Sequence, residues 1–426
     1  RVVDLATGTE FTDRYDTLVL ATGARSVVPP LPGVDAPGVF GVRNVGDAIA
    51  IRAWIRGRQA TTAVVVGSGF IGLEMAEQLV AAGLQVTLVE KAPQVMPALD
   101  ADMAFRVAEE LGKHGVDVRP GVGVTAIHAS DRVTGVQLDH DEVLPADVVI
   151  LAVGVRPETT LARQIGVELG TTGAIRVDQT MRTNLPGVYA VGDVAESYCL
   201  ITGKPLWRPL GSTANKMGRI AGDAITGGGL SHRGIVGTGI LRVFDLGVAH
   251  TGLTAREARA EGFEVEVHHN IKPAHATYVG GRELVIKAVA DRDTRRLLGA
   301  QVIGPQGVDK RIDVLATAIS FGAQVGDLFH LDLAYSPPFA TTKDPVHYTG
   351  MALDNAITGR ASLITPAELD ARLASGEPLQ VVDVRSASDF TTTHVPGAVN
   401  IPLAELRDRL GELDPDVPTV TYCNKG

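Results

Sequence analysis

Ala60-Thr-Thr-Ala-Val-Val-Val66 runs directly into Gly67-Ser68-Gly69-Phe70-Ile71-Gly72, and the fold is decided at that junction. The first seven residues are apolar or β-branched and of strand length. From Ile71 to Ala82 apolar residues recur at helical spacing until Gly83 ends the helix. A second strand, Leu84 to Glu90, then closes on a carboxylate. Gly-x-Gly-x-x-Gly alone is a weak signal and can be no more than a flexible turn. Set between a strand and a helix, with an acid ending the next strand, it reads as a dinucleotide-binding turn. The first glycine makes the turn, the second lets backbone approach a pyrophosphate, and the third lets the helix pack on the strand. Ser68, Phe70 and Ile71 lie in the same turn, where the helix offers unpaired N–H groups and its positive dipole end. Glu90 is placed to accept from an adenosine ribose and to repel a 2′-phosphate, which favours NADH over NADPH; Lys91 beside it tempers that preference.

Outward from this unit the alternation continues. Asn44 to Arg58 has helical spacing, Asp100 to His114 forms another helix ended by Gly115, and further strands run through Val155. Such alternation means an α/β domain with a parallel, doubly wound sheet. Upstream, Tyr15 to Gly23 is a short buried strand ending in a glycine turn, followed by a proline-rich connector, Val27 to Gly33. Downstream, a strand from Gly187 to Val191 leads into Gly192-Asp193, and a helix runs from Ser212 through Ile225 to Gly227-Gly-Gly229. Residues 231–357 are strand-rich and then helical (Asp309 to Phe321), an α+β arrangement, and Ser362 to Gly426 resumes βα alternation.

Composition narrows the function classes. The chain of 426 residues is 45% hydrophobic and 21% charged, enough for folded cores in about three domains. A net charge of −10 leaves no broad basic face for a nucleic-acid backbone. No apolar run approaches the roughly 18 residues of a membrane span. Two cysteines without metal-type spacing, Cys199 and Cys423, suit a reducing cytoplasm, and no metal site is expected. The chain begins at Arg1 in a strand-like pattern and stops within a glycine-bearing loop, so both edges read as cut from a longer protein.

Ala21-Thr22-Gly23 and Val188-Tyr-Ala-Val-Gly192-Asp193 flank the dinucleotide unit, as when one nucleotide domain is inserted into another. On these motifs the stretch resembles the pyridine nucleotide-disulfide oxidoreductase superfamily. The resemblance implies two nested doubly wound nucleotide-binding domains, an α+β dimerisation domain and a partial C-terminal α/β domain. The expected boundaries are 1–46 and 156–229 for the FAD-binding domain, 47–155 for the NAD(P)H-binding domain, 230–360 for dimerisation and 361–426 for the last domain. It implies that Thr22 and Gly23 pass close to FAD, and that Gly192 and Asp193 meet its ribityl-phosphate region. The segment Pro209 to Arg219, with Leu210 and Ala214, resembles the helix whose first turn faces the flavin pyrimidine. Phe70 matches an aromatic over the nicotinamide, and Glu74 a carboxylate near the flavin's reactive edge; core packing and a solvated helix face are the plainer alternatives. Gly154, in Ala152-Val-Gly-Val-Arg-Pro157, falls in a segment that closes over the nicotinamide or is simply a buried strand and turn.

Ala334-Tyr335-Ser-Pro-Pro-Phe339 resembles the coenzyme A-disulfide reductase branch, in which a tyrosine of this motif reaches the partner's active site in a homodimer. Tyr335 and an earlier Tyr278 have the matching separation; a phenol can donate to a sulfur anion or bound thiol, and can equally be an interface residue. Val381-Val-Asp-Val-Arg385 and His394-Val-Pro-Gly-Ala-Val-Asn-Ile-Pro402 resemble a rhodanese domain, with Cys423 in Tyr422-Cys-Asn-Lys-Gly426 at the sulfur-carrying position and His394 structural. Cys199 matches no family thiol and reads as structural. The implied activity is hydride transfer from NAD(P)H through FAD to a disulfide, persulfide or polysulfide such as coenzyme A disulfide. The alternatives are an NADH oxidase or peroxidase and a sulfur carrier or redox sensor. The family's first FAD fingerprint and flavin-facing cysteine correspond to positions before Arg1, so this stretch alone is not expected to hold FAD tightly or to turn over.

Overall fold

The computed structural model describes residues 1–424. Its centre is a five-stranded parallel sheet in the order Val39–Gly41, Val148–Leu151, Thr62–Val66, Gln85–Glu90, Asp117–Pro120. The strand expected from Ala60 begins at Thr62, because the backbone N–H groups and hydroxyls of both Thr61 and Thr62 turn onto Asp147 Oδ2 at 2.9–3.1 Å. Alternate residues serve opposite faces, as strand geometry requires. Ala63 and Val65 join Leu73, Ala76 and Leu79 of the nucleotide helix (Phe70–Ala81) and Val107 and Leu111 of the helix Ala101–Lys113. Val64 and Val66 pack instead with Ile127, Val136 and Leu138 of a three-stranded antiparallel sheet. One face is thus covered by helices and the other by a sheet.

The strand Leu18–Leu20 pairs in parallel with Val188–Ala190 from the far side of this unit, which is the nesting the motifs imply. The helix Gly211–Ile225 packs Met217, Ile220 and Ala221 on that pair. Ala24–Ser26 and Val155–Pro157, the two connections, pair antiparallel. A second, antiparallel sheet follows in the order Gly239–Val243, Leu246–Gly252, Leu297–Gly304, Glu283–Asp291, Val265–Pro273, with the helices Val308–Ser320 and Pro345–Ile357 behind it. Leu241, Val243 and Val248 of this sheet enter the same core as the nucleotide helix, which is therefore sandwiched between two sheets. The last domain has a three-stranded parallel sheet, Val399–Asn400, Gln380–Asp383, Thr419–Tyr422. No helix among the described residues is long and apolar enough to cross a membrane.

Candidate active site

The three glycines of the turn differ in what they permit. Gly67 has φ +99°, and a Cβ there would stand 2.5 Å from the Ala152 carbonyl oxygen. A Cβ on Gly72 would lie 1.9 Å from the Gly67 carbonyl oxygen. A Cβ on Gly69 would meet nothing within 4 Å, and Gly69 caps the nucleotide helix without a side-chain bond, so no cap takes up the first-turn N–H groups. That open cradle fits a pyrophosphate. Ser68 is wholly buried; its N–H and hydroxyl donate to Glu90 Oε2 at 2.8 and 2.6 Å, while Ala92 N–H donates to Glu90 Oε1 at 2.8 Å. Glu90 therefore braces the glycine turn, and Oε1 keeps a lone pair for a ribose hydroxyl. Lys91 is exposed.

From its first residues the helix parts its side chains. Ile71 and Glu74 line an open cavity of about 510 Å³ together with Val42, Arg43, Val45 and Met75. Phe70 points elsewhere: half-buried, its ring lies 6.0 Å from the His250 ring of the second sheet. Arg43 carried no sequence signal, standing outside any motif just before a helix. Its guanidinium reaches Asp193 Oδ2 at 3.3 Å, and its N–H donates to Asp47 at 2.7 Å. Gly23 (φ +72°) and Gly192 (φ +74°) flank this pair; Cβ atoms there would stand 3.5 Å from Arg43 Nη2 and from Ala214 Cβ respectively. Thr22 donates its hydroxyl to the Glu158 carbonyl at 2.6 Å, and Glu158 N–H donates to the Gly23 carbonyl at 2.9 Å. Trp207 Nε1 donates to the Asp193 carbonyl at 2.8 Å. Leu210 caps the helix Gly211–Ile225 with no side-chain bond, and Ala214 N–H closes its first turn onto the Leu210 carbonyl at 3.0 Å. A groove with two glycine turns, an arginine and an uncapped helix start fits a flavin nucleotide. Gly154 (φ +103°) is exposed, its carbonyl accepting from Val27 N–H at 3.0 Å.

The remaining expected residues lie apart. Tyr278 and Tyr335 are 79% and 52% exposed on neighbouring segments of the second-sheet domain, tied by Ala276 N–H to the Pro337 carbonyl at 3.1 Å. Cys423 is half-buried just beyond the strand Thr419–Tyr422. On the neighbouring strand Asp383, paired with Tyr422 and fully buried, is gripped by Arg385, which holds its carboxyl down at about 2. Arg385 also donates to Asn424 Oδ1 at 3.2 Å and covers the Tyr422 ring. His394 is stacked on Phe390 and bonded to that residue's carbonyl at 2.9 Å, a structural arrangement. Lys425 and Gly426 of the expected sulfur-carrying loop lie outside the described residues. Cys199 is buried, with its N–H on the Lys204 carbonyl. Glu110, His114 and Asp245 bring potential metal-ligand atoms within 4.8 Å of one another, with Lys113 Nζ 3.7 Å from Glu110.

The model of the pyridine nucleotide-disulphide oxidoreductases matches residues 1–217, that of their dimerisation domain residues 240–345, and that of the rhodanese-like domain residues 365–426. The chain belongs to the pyridine nucleotide-disulphide oxidoreductases. Within that family it is 41% identical to a CoA-dependent NAD(P)H sulfur oxidoreductase of Pyrococcus furiosus, over 80% of this chain and 76% of the relative. Among solved structures it resembles a reduced CoADR-RHD of Bacillus anthracis, with TM-score 0.95 and 38% identity over 99% of this chain and 75% of that one. An NAD-dependent persulfide reductase from A. fulgidus gives TM-score 0.90 and 37% identity over 96% and 74%. In this chain the oxidoreductase match is thus followed by the dimerisation domain and then by the rhodanese-like domain.

Proposed function

We propose that this chain is the body of an FAD-dependent NAD(P)H oxidoreductase acting on a disulfide, persulfide or polysulfide, coenzyme A disulfide among them, as a cytoplasmic homodimer. The observation that carries this reading is a shared wall. The helix that opens at the Gly69 cradle presents Ile71 of its first turn and Glu74 of its second to the cavity that also holds Arg43, and Arg43 reaches Asp193. Nucleotide and flavin cradles thus meet across a single helix turn. With FAD bound, the flavin supplies two-electron chemistry between a nicotinamide and sulfur. For a disulfide the balance is NADH, a proton and RSSR giving NAD⁺ and two RSH; for a persulfide, RSSH gives RSH and hydrogen sulfide.

The chain's own residues orient the partners. Gly67, Gly69 and Gly72 admit the pyrophosphate; Glu90, braced by Ser68, reads the ribose and, with its charge, disfavours NADPH. Thr22, Gly23, Gly192 and Asp193 line the flavin groove, and the uncapped helix turn that opens after Leu210 and closes at Ala214 offers its N–H groups to it. Tyr335, aided by Tyr278, donates a hydrogen bond to the departing sulfur at the partner subunit's site, consistent with the exposure of both rings in a single protomer. Cys423 carries sulfane sulfur on the rhodanese-like domain. Support for a sulfur substrate comes from that domain and from the relatives' names. In the FAD-loaded protein, Tyr335→Phe is expected to lower the rate of reoxidation by coenzyme A disulfide about 100-fold, within the usual span of proton-transfer catalysis, and to leave reduction by NADH unchanged. Equal loss in both half-reactions would remove Tyr335 from the sulfur step.

A further inference from the structure

Gly239 and His250 are directly opposed on the edge strand Gly239–Val243 and its neighbour Leu246–Gly252, so their side chains belong to one face of the sheet. Leu241 and Val243 line that face and bury themselves against the nucleotide helix. Gly239 is buried, lacks a left-handed φ, and so owes its identity to space and not to torsion. Phe70 takes the space. A Cβ built on Gly239 would stand 2.8 Å from Phe70 Cζ, 3.5 Å from Phe70 Cε1 and 3.1 Å from His250 Nε2. The His250 ring, tilted 45° to Phe70, forms the other wall of the notch. A glycine in a strand weakens it and commonly marks such a close approach.

We infer that Gly239 and His250 are positioning residues for Phe70: the notch between them, built on a different domain, fixes where the first side chain of the nucleotide helix lies beside the dinucleotide cradle. This rests on the reading of Phe70 as the aromatic of the nicotinamide site. The ring sits at the first helical residue after Gly69, so a shift of a few tenths of an ångström is passed to the mouth of the cradle. The second-sheet domain thereby sets NADH binding without touching NADH.

The test is a double-mutant cycle on the FAD-loaded protein with Phe70→Ala, Gly239→Ala and the pair, read by the apparent NADH dissociation constant in anaerobic flavin reduction and by the thermal midpoint. Gly239→Ala is expected to change the dissociation constant at least about threefold and to lower the midpoint, with both effects absent when Phe70 is already alanine, as for residues in contact. His250→Asn, which opens the notch without adding volume, is expected to move the same dissociation constant. Effects of Gly239→Ala that persist undiminished in the Phe70→Ala background, or no effect at all, overturn the inference. If Phe70→Ala leaves NADH kinetics unchanged while the midpoints remain coupled, the nicotinamide reading of Phe70 fails and the positioning role falls with it.

Discussion

Gly72→Ala would set a methyl group 1.9 Å from the Gly67 carbonyl oxygen, a clash between backbone-anchored atoms with nowhere to go. We expect it to cost about 2–4 kcal/mol of stability, the scale of overpacking against a rigid neighbour, measured by denaturant unfolding. Gly69→Ala meets nothing within 4 Å and is expected to cost under about 1 kcal/mol while weakening NADH binding, because its methyl stands where the pyrophosphate approaches. A Gly69 variant that binds NADH normally would contradict the cradle. The sequence motif puts glycine at all three positions, and the turn at Gly67 and the tight approach at Gly72 were legible. What was not legible is the partner of each: the Gly67 limit comes from Ala152, distant in the chain. Arg43 was invisible for the same cause, since its meaning lies in Asp193, on the other side of the inserted unit. Phe70 fell between, correctly placed on the helix start but turned toward a neighbour no local pattern announces.

At the scale of elements, the strands Leu246–Gly252 and Val265–Pro273 carry His250 and His268, whose burial pushes both down to about 4. In the unfolded chain each returns to about 6.5, so between these values the unfolded state binds more protons and stability falls with falling pH. The loss is expected to reach about 1.4 kcal/mol per pH unit for each histidine between pH 6.5 and 4. His232, buried against Ser197, shifts the same way, whereas Glu266, pushed up by burial, opposes it. Asp383, held at about 2, loses its contribution only below the ordinary carboxylate range and stays outside this window. Denaturant midpoints from pH 7.5 to 4.5 check the slope, and a flat profile would contradict the burial of these rings. Elements with strong periodicity, such as the nucleotide helix, were readable from spacing alone. The alternation of Leu241 and Val243 marks a strand but does not say that its inner face meets that helix.

Across the whole molecule, one clamp joins the nucleotide unit to the second sheet. Lys287, buried, reaches Asp100 at 3.1 Å and both oxygens of Asp102 at 2.8 and 2.9 Å at the start of the helix Ala101–Lys113; His269 binds Asp102, and Gln301 donates to Asp100 at 2.7 Å. Lys287→Met would strand the nearly buried Asp100 carboxylate and is expected to cost about 3–5 kcal/mol, read in unfolding of the FAD-loaded protein. The nesting of domains was legible because two strand ends with glycine turns bracket the inserted unit, and Leu18–Leu20 does pair with Val188–Ala190. The clamp was not, because its charges look like ordinary solvated ones until the domains are brought together. The central claim, that electrons pass from nicotinamide through flavin to sulfur, is most directly tested by anaerobic stopped-flow of the FAD-loaded full-length protein. NADH should bleach the flavin absorbance, and coenzyme A disulfide or polysulfide should restore it with stoichiometric release of thiol or hydrogen sulfide. A flavin that NADH leaves oxidised, or one that returns only with oxygen or peroxide, would contradict the account.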